Sequence, residues 1–402
     1  MKILQVMPRL SKSKGGGGVV IGKMLTEGLV ENGHNVGILS SDHDFDLDYM
    51  LTSNLDKNKT WFFPFKTLVN IASLHITKIS PKQLNSIFSD GVDVVHMQGC
   101  RTFQNIVARI YAKKYKIPYI VDAHGFPVEG TWWRRQFIKL FDIYFANDIV
   151  KDATCCVAET QVGEEEYKRA GVPVDKIVTI PCGYDLSLFD DLPDKGKFKE
   201  KYGLQDKKVV LYLGGIDYIK GLDFLAKAFS KIQREDVALV FVGTDFGFEQ
   251  RLKVILAYLE ICDKTIFAGG LYGQDKLEAL VDADVAVFPS RAEQGLPFAG
   301  LEAIMCGTPI IVTEDTGAGE DVKRMGGGYT VEFGDTKMLT SLIERMLDNN
   351  EITKAKMVKS AQDYIVKNLS IKDMVVKYEE LYKQCIKEVR ELEDMHQLYI
   401  SE

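Results

Sequence analysis

The chain has 402 residues, 46% hydrophobic and 27% charged, and its 50 basic and 57 acidic side chains leave a formal charge of −7. That length points to two domains of roughly 100–200 residues each, and the acidic balance excludes a broad nucleic-acid-binding face. The seven cysteines form no Cys-x-x-Cys pair or Cys/His cluster of metal-site spacing, so they read as small core residues of a reducing cytosol, and no metal is expected.

In chain order, KILQVMP has the look of a buried first strand, and GGGGVVIGKMLTEGLVENGH of a glycine loop running into an amphipathic helix. The opening MKILQVMPRL is too short and too early for a signal peptide, and no run is long and apolar enough for a membrane span, so a cytoplasmic protein is expected. NVGILSS, DVVHMQG, YIVDAHG and CCVAET follow as strands, whereas the stretch from Asp46 to Ser89 is less regular and reads as loops or insertions. Around IPCGYDLSLFDDLPDKGKF the pattern breaks into Pro, Gly and Asp, which marks a boundary. A second series begins with VVLYLGG and continues through ALVFVGT, TIFAGG, VAVFPS, PIIVTE and YTVEF, with helix-sized stretches between. The alternation predicts two doubly wound α/β domains in tandem. Their expected bounds are 1–184 and 206–370, with a linker over 185–205 and a last helix, 371–402, packing back on the first domain.

Ligands of such sheets gather at the carboxyl ends of strands, so the informative residues stand just after them. After the first strand, Gly15 to Gly18 lead into a helix, where backbone amides can approach an anion; a flexible turn explains a glycine run equally well. His124 follows YIVDA, and a neutral imidazole there can hydrogen-bond a sugar hydroxyl. A satisfied structural histidine is the plainer reading, and it applies to His96 too. In Gly214-Gly215-Ile216-Asp217-Tyr218-Ile219-Lys220-Gly221, the lysine can neutralise a phosphate as a point charge. Glu293 and Glu302 bracket a loop of Gly, Pro and small residues, with Glu302 expected where the next helix begins. One acid there merely complements a helix dipole; two suit the vicinal hydroxyls of a ribose and a hexose.

Taken together these segments resemble the family 4 retaining glycosyltransferases of the GT-B fold, whose two Rossmann-like domains face a central cleft. The resemblance rests on GGGGVVIGKMLTEGLVENGHNV, VVHMQG, VDAHG, IPCGYDLSLF, GGIDYIKG and PSRAEQGLPFAGLEAIMCGTP, in that order. It implies a nucleotide-sugar donor, UDP- or GDP-linked, no metal and no other cofactor. It implies that Glu302 binds the ribose, that Glu293 holds donor-sugar hydroxyls, that Lys220 neutralises the departing diphosphate and that His124 contacts the sugar. Gly16, Gly17, Gly215, Gln294 and Gly295 would line the same space. Two positions depart from the family pattern. Gln294, not Glu293, is in register with the family's first acid, and Gly215 stands where the family has an arginine, a place Arg291 is a candidate to fill.

Thr131 to Phe141 mixes Trp132, Trp133 and Phe137 with Arg134, Arg135 and Lys139. It reads either as an amphipathic helix on its own domain or as a surface for the inner membrane face and a lipid-linked acceptor. The expected function is sugar transfer to a glycan or glycolipid in cell-surface polysaccharide or glycolipid synthesis. The rivals are a GT-B sugar-nucleotide 2-epimerase and a non-catalytic nucleotide-sugar-binding protein.

Overall fold

The computed structural model of the protein describes residues 1–8, 16–42, 60–71, 74–78, 80–124, 132–292 and 297–401. The chain forms two compact units, Met1–Tyr184 with Ile371–Glu402, and Asp185–Ser370.

The first unit holds β1 (Lys2–Val6), β2 (Asn35–Ser41), β3 (Thr60–Ile71), β4 (Leu74–Lys78), β5 (Val94–Gln98), β6 (Tyr119–Asp122), β7 (Cys155–Ala158) and β8 (Ile177–Thr179). They form one sheet in the order β4-β3-β2-β1-β5-β6-β7-β8, parallel throughout except for the β3–β4 pair. Strands such as Val94–Gln98 are buried residue by residue, because a parallel sheet is covered on both faces and needs continuous rather than alternating apolar character. The helix Gly16–Glu31 lies against the last helix, Ile371–Ser401. Glu379 of that last helix accepts from Asn32 at 2.8 Å and pairs with His34 at 3.0 Å.

The irregular stretch before Ser89 is more ordered than the sequence suggests. It contains β3, β4 and a helix, Pro81–Ser89, that buries Leu84, Ile87 and Phe88. Pro64 inside β3 and the antiparallel β4 beyond it belong to the sheet's margin, where neither alternation nor an unbroken apolar run is required.

The second unit holds β9 (Lys208–Leu213), β10 (Val237–Val242), β11 (Thr265–Gly269), β12 (Val285–Phe288), β13 (Ile310–Thr313) and β14 (Gly328–Val331), all parallel, in the order β11-β10-β9-β12-β13-β14. Residues 185–205, expected as a linker, include a helix, Lys197–Tyr202, that belongs to this unit. Asp282 fixes its start by accepting from the amides of Gly196 at 2.5 Å and Lys199 at 3.0 Å, and Phe198 is buried. Among the described residues no helix is long and apolar enough to cross a membrane.

Candidate active site

Each sheet reverses its strand order at one point, between β1 and β5 in the first unit and between β9 and β12 in the second. The space beyond the carboxyl ends of strands at such a point is where ligands bind.

In the first unit four side chains meet there. Gln98 ends β5, Asp122 ends β6, His124 lies two residues on, and Glu159 follows β7. Buried His96 is held neutral, with its pKa lowered to about 3 by burial and by the neighbouring charge of His124. A proton on its Nδ1 satisfies both neighbours: it donates to Tyr382 Oη at 2.7 Å, and its Nε2 accepts from Gln98 Nε2 at 3.5 Å. That turns the Gln98 oxygen toward His124, whose Nε2 donates to it at 2.6 Å. His124 Nδ1 donates to Glu159 at 2.8 Å and stands 3.3 Å from Asp122. Both nitrogens of His124 therefore carry protons. Burial opposes the charge, yet Asp122 and Glu159 outweigh it and push the pKa up to about 9. The sequence reading considers a neutral imidazole here; the two neighbouring carboxylates favour the charged form.

Burial raises Asp122 to about 6 against the pull of His124, and Tyr378 Oη donates to its other oxygen at 2.8 Å. Burial also acts to raise Glu159, but its hydrogen bond to His124 leaves it below the usual carboxylate range. The ligand atoms of Asp122, His124 and Glu159 lie within 4.8 Å of one another, close enough to hold a cation. Both imidazole nitrogens face oxygens of Gln98 and Glu159, while the Asp122 oxygen nearest the ring is buried without a hydrogen-bond partner among the described residues. His124 has φ 50, the left-handed region, which costs a non-glycine residue on the order of 1–3 kcal/mol and is typical of functional sites. A Cβ on Gly18 would stand 2.7 Å from the His124 ring. Gly16 and Gly17 open the helix Gly16–Glu31, so the glycine run brings this helix start against the imidazole.

In the second unit the segment after β9 turns through Tyr218–Lys220, capped by Asp217, whose side chain accepts from the Ile219 amide at 3.1 Å. Lys220, partly exposed, ends the turn, and Gly221 follows at φ 67. A Cβ on Gly221 would lie 1.9 Å from the carbonyl oxygen of Pro289, just past β12, so glycine is required for the two loops to pack. Arg291 ties them further: its amide donates to Ile219 O at 2.8 Å, and its guanidinium bonds both oxygens of Asp223 at 2.7 and 2.8 Å. The guanidinium also donates to Tyr218 O and stacks 3.9 Å from the Tyr218 ring centroid. Arg291, the candidate to fill the family arginine's place, is engaged by this staple. At Gly215 a Cβ would come within 2.8 Å of the Phe246 ring, so an aromatic ring lies against the position the family gives to arginine.

Glu302 is not at a helix start. It lies inside the helix Phe298–Met305, which begins directly after Pro297, and it is buried. Burial raises its pKa, opposed by Lys276, whose Nζ donates to Oε1 at 2.6 Å. Beyond β13, Thr316 caps the helix Gly317–Met325 by accepting from the Gly319 amide at 3.2 Å. Glu293, Gln294 and Gly295 lie outside the described residues, as does Thr131. His96 proves structural. Sequence reasoning assigned no role to Gln98, Asp122, Glu159 or Lys276. Glu159 carried a usable signal, a polar residue directly after a buried strand, whereas Lys276 carried none.

The description "Glycosyltransferase Family 4" matches residues 15–188, and "Glycosyl transferases group 1" matches residues 194–364. An uncharacterised glycosyltransferase of Methanocaldococcus jannaschii is 25% identical over 94% of this chain and 94% of its own. A UDP-Gal:alpha-D-GlcNAc-diphosphoundecaprenol alpha-1,3-galactosyltransferase of Escherichia coli is 27% identical over 83% of this chain and 86% of its own. Among solved structures, HepE of Anabaena in complex with UDP and glucose is similar at TM-score 0.76 and 17% identity, covering 96% of this chain and all of that one (100%). With one family description on each unit and the two-sheet architecture in common, the chain belongs to the family 4 glycosyltransferases and has the GT-B fold.

Proposed function

We propose that this glycosyltransferase moves a hexose from a UDP- or GDP-linked donor to a glycan or lipid-linked acceptor, with retention of anomeric configuration and no metal or other cofactor. The pathway would be cell-surface polysaccharide or glycolipid synthesis. The observation that carries the donor reading is the occurrence of a partly exposed lysine, Lys220, and a buried carboxylate, Glu302, on the two segments leaving the β9/β12 switch point. Lys276 holds Glu302 by Oε1, and Oε2 is the atom that accepts from the ribose hydroxyls. Lys220 neutralises the diphosphate as the glycosidic C–O bond breaks, a contact of the kind worth a few kcal/mol in the transition state. His124, its two N–H groups held by Gln98 and Glu159, sets a positive charge beside the donor sugar rather than accepting from one of its hydroxyls. Glu293 or Gln294 holds further sugar hydroxyls, with amides of Gly16, Gly17, Gly215 and Gly295 completing the donor's surroundings.

The Escherichia coli relative, named for a UDP-linked donor and a diphosphoundecaprenol acceptor, supports a lipid-linked acceptor. So does the run from Phe137 to Phe145, where Leu140, Ile143, Tyr144 and Phe145 are exposed alongside Arg135 and Lys139. Such a surface suits peripheral contact with an anionic bilayer. Nucleotide release from a panel of UDP- and GDP-sugars tests the donor reading. One donor should be turned over by the wild type and lost in Lys220→Ala and Glu302→Ala, each still folded; turnover retained in both would overturn it. The anomeric proton of the product, read by NMR, tests retention, and an unchanged rate after chelation tests metal independence.

A further inference from the structure

At the opposite edge of the second unit's sheet, where β9 and β12 begin, there is a cavity of about 960 Å³. Lys208 is the first residue of β9 and Asp284 directly precedes β12. The strands therefore separate this cavity from Lys220 and Arg291 by on the order of 15–20 Å. Six lysines line it, Lys195, Lys199, Lys208, Lys354, Lys356 and Lys359, against three carboxylates, Asp282, Asp284 and Glu351.

The carboxylates do not balance the lysines. Asp284 alone faces three ammonium groups, Lys354 at 2.8 Å and Lys199 and Lys208 at 3.3 Å each, and also accepts from the Val209 amide at 2.9 Å. Burial would raise its pKa, but Lys354 and the other donors hold it at about 2, so it contributes its full single charge and no more. Asp282 is turned to the amides of Gly196 and Lys199. Glu351 is exposed and answers Lys195 at 2.7 Å and Lys354 at 3.6 Å, and Asp363, outside the lining, answers Lys359 at 2.9 Å, which still leaves the lysines in excess. Lys354 is itself buried among these groups. Three ammonium groups gathered around one buried acid, with Lys195, Lys356 and Lys359 exposed at the rim, are held at lower cost when a ligand brings the remaining negative charge.

We propose that this cavity binds a small phosphorylated anion at a site separate from that of the nucleotide-sugar. Its volume is that of a metabolite site. Compact ammonium groups suit phosphate oxygens, and a phosphate brings the two charges that a single carboxylate cannot.

Isothermal titration of the full chain with inorganic pyrophosphate tests this. Pyrophosphate also resembles a departing diphosphate, so the decisive titrations are made in a Lys220→Ala background. There, binding should persist, weaken at least tenfold on adding Lys199→Gln and Lys208→Gln, and tighten on adding Asp284→Asn. The Asn amide oxygen still accepts from Val209 while the competing charge is gone. Circular dichroism and melting check each fold; if the double lysine variant does not fold, Lys195→Gln replaces it and should weaken binding severalfold. No binding by Lys220→Ala at millimolar pyrophosphate, unchanged affinity in the lysine variants, or weaker binding by Asp284→Asn would each overturn the proposal.

Discussion

Replacing Glu159 by Gln probes the charge on His124 with almost no change of shape. The imidazole moves from 6.5 in the unfolded chain to about 9 in the native cluster, which corresponds to about 3 kcal/mol of preference for the charged form. Two carboxylates supply it, Glu159 at 2.8 Å and Asp122 at 3.3 Å, so removing one takes away about half, ~1–2 kcal/mol. Just below pH 6.5 the imidazole is protonated folded or unfolded, and the stabilisation is fully present until Asp122 begins to take up a proton near pH 6. Between 6.5 and 9 only the folded state keeps the proton, so the stabilisation is lost as pH rises through that window. Asp122, raised to about 6, titrates below the window and does not obscure it. A ring-proton NMR titration should place His124 near 9 in the wild type and at about 7–8 in Glu159→Gln. Denaturant melts at the two ends of the window should show a smaller pH-dependent loss for the variant. A wild-type His124 titrating at or below 6.5, or the same value in both proteins, would refute the charged-network reading.

Lys276→Met should leave the Glu302 carboxylate buried without its ammonium, costing about 3–5 kcal/mol and lowering both the melting temperature and nucleotide affinity; an unchanged melt would show the pair to be dispensable. Gly221→Ala forces a Cβ against the Pro289 carbonyl at φ 67. It should cost at least about 2 kcal/mol and lower donor turnover as Lys220→Ala does, measured by nucleotide release. Ile143→Ser with Tyr144→Ser should reduce co-sedimentation with anionic vesicles while leaving donor hydrolysis intact; equal partitioning would remove the membrane surface from the proposal.

Most of the architecture was legible because parallel strands buried on both faces announce themselves as short apolar runs, as in VALVFV and VVHMQ. The margins were not. β3 contains a proline, and β8 is only three residues long. The site was legible one side chain at a time, through polar residues that follow strands. Its pairings were not, since Lys276 reaches Glu302 from a different helix, and Glu159 and Gln98 reach His124 from strands on either side of β6. Spacing along the chain carries no record of such neighbours. Arg291 shows the converse, a cation plausible from its position yet already committed to Asp223 and the Tyr218 ring.

The helix Ile371–Ser401 sends Tyr378 to Asp122 and has Tyr382 beside His96, so the first unit is completed by residues made after the second. On the ribosome, all of Asp185–Ser370 must be translated before those two phenols exist. At 5–20 residues per second that is a delay of roughly ten to forty seconds, long enough for many domains to fold. During synthesis the amino-terminal half waits with its floor uncovered while the later-made unit can already close, an inversion of the usual order of maturation.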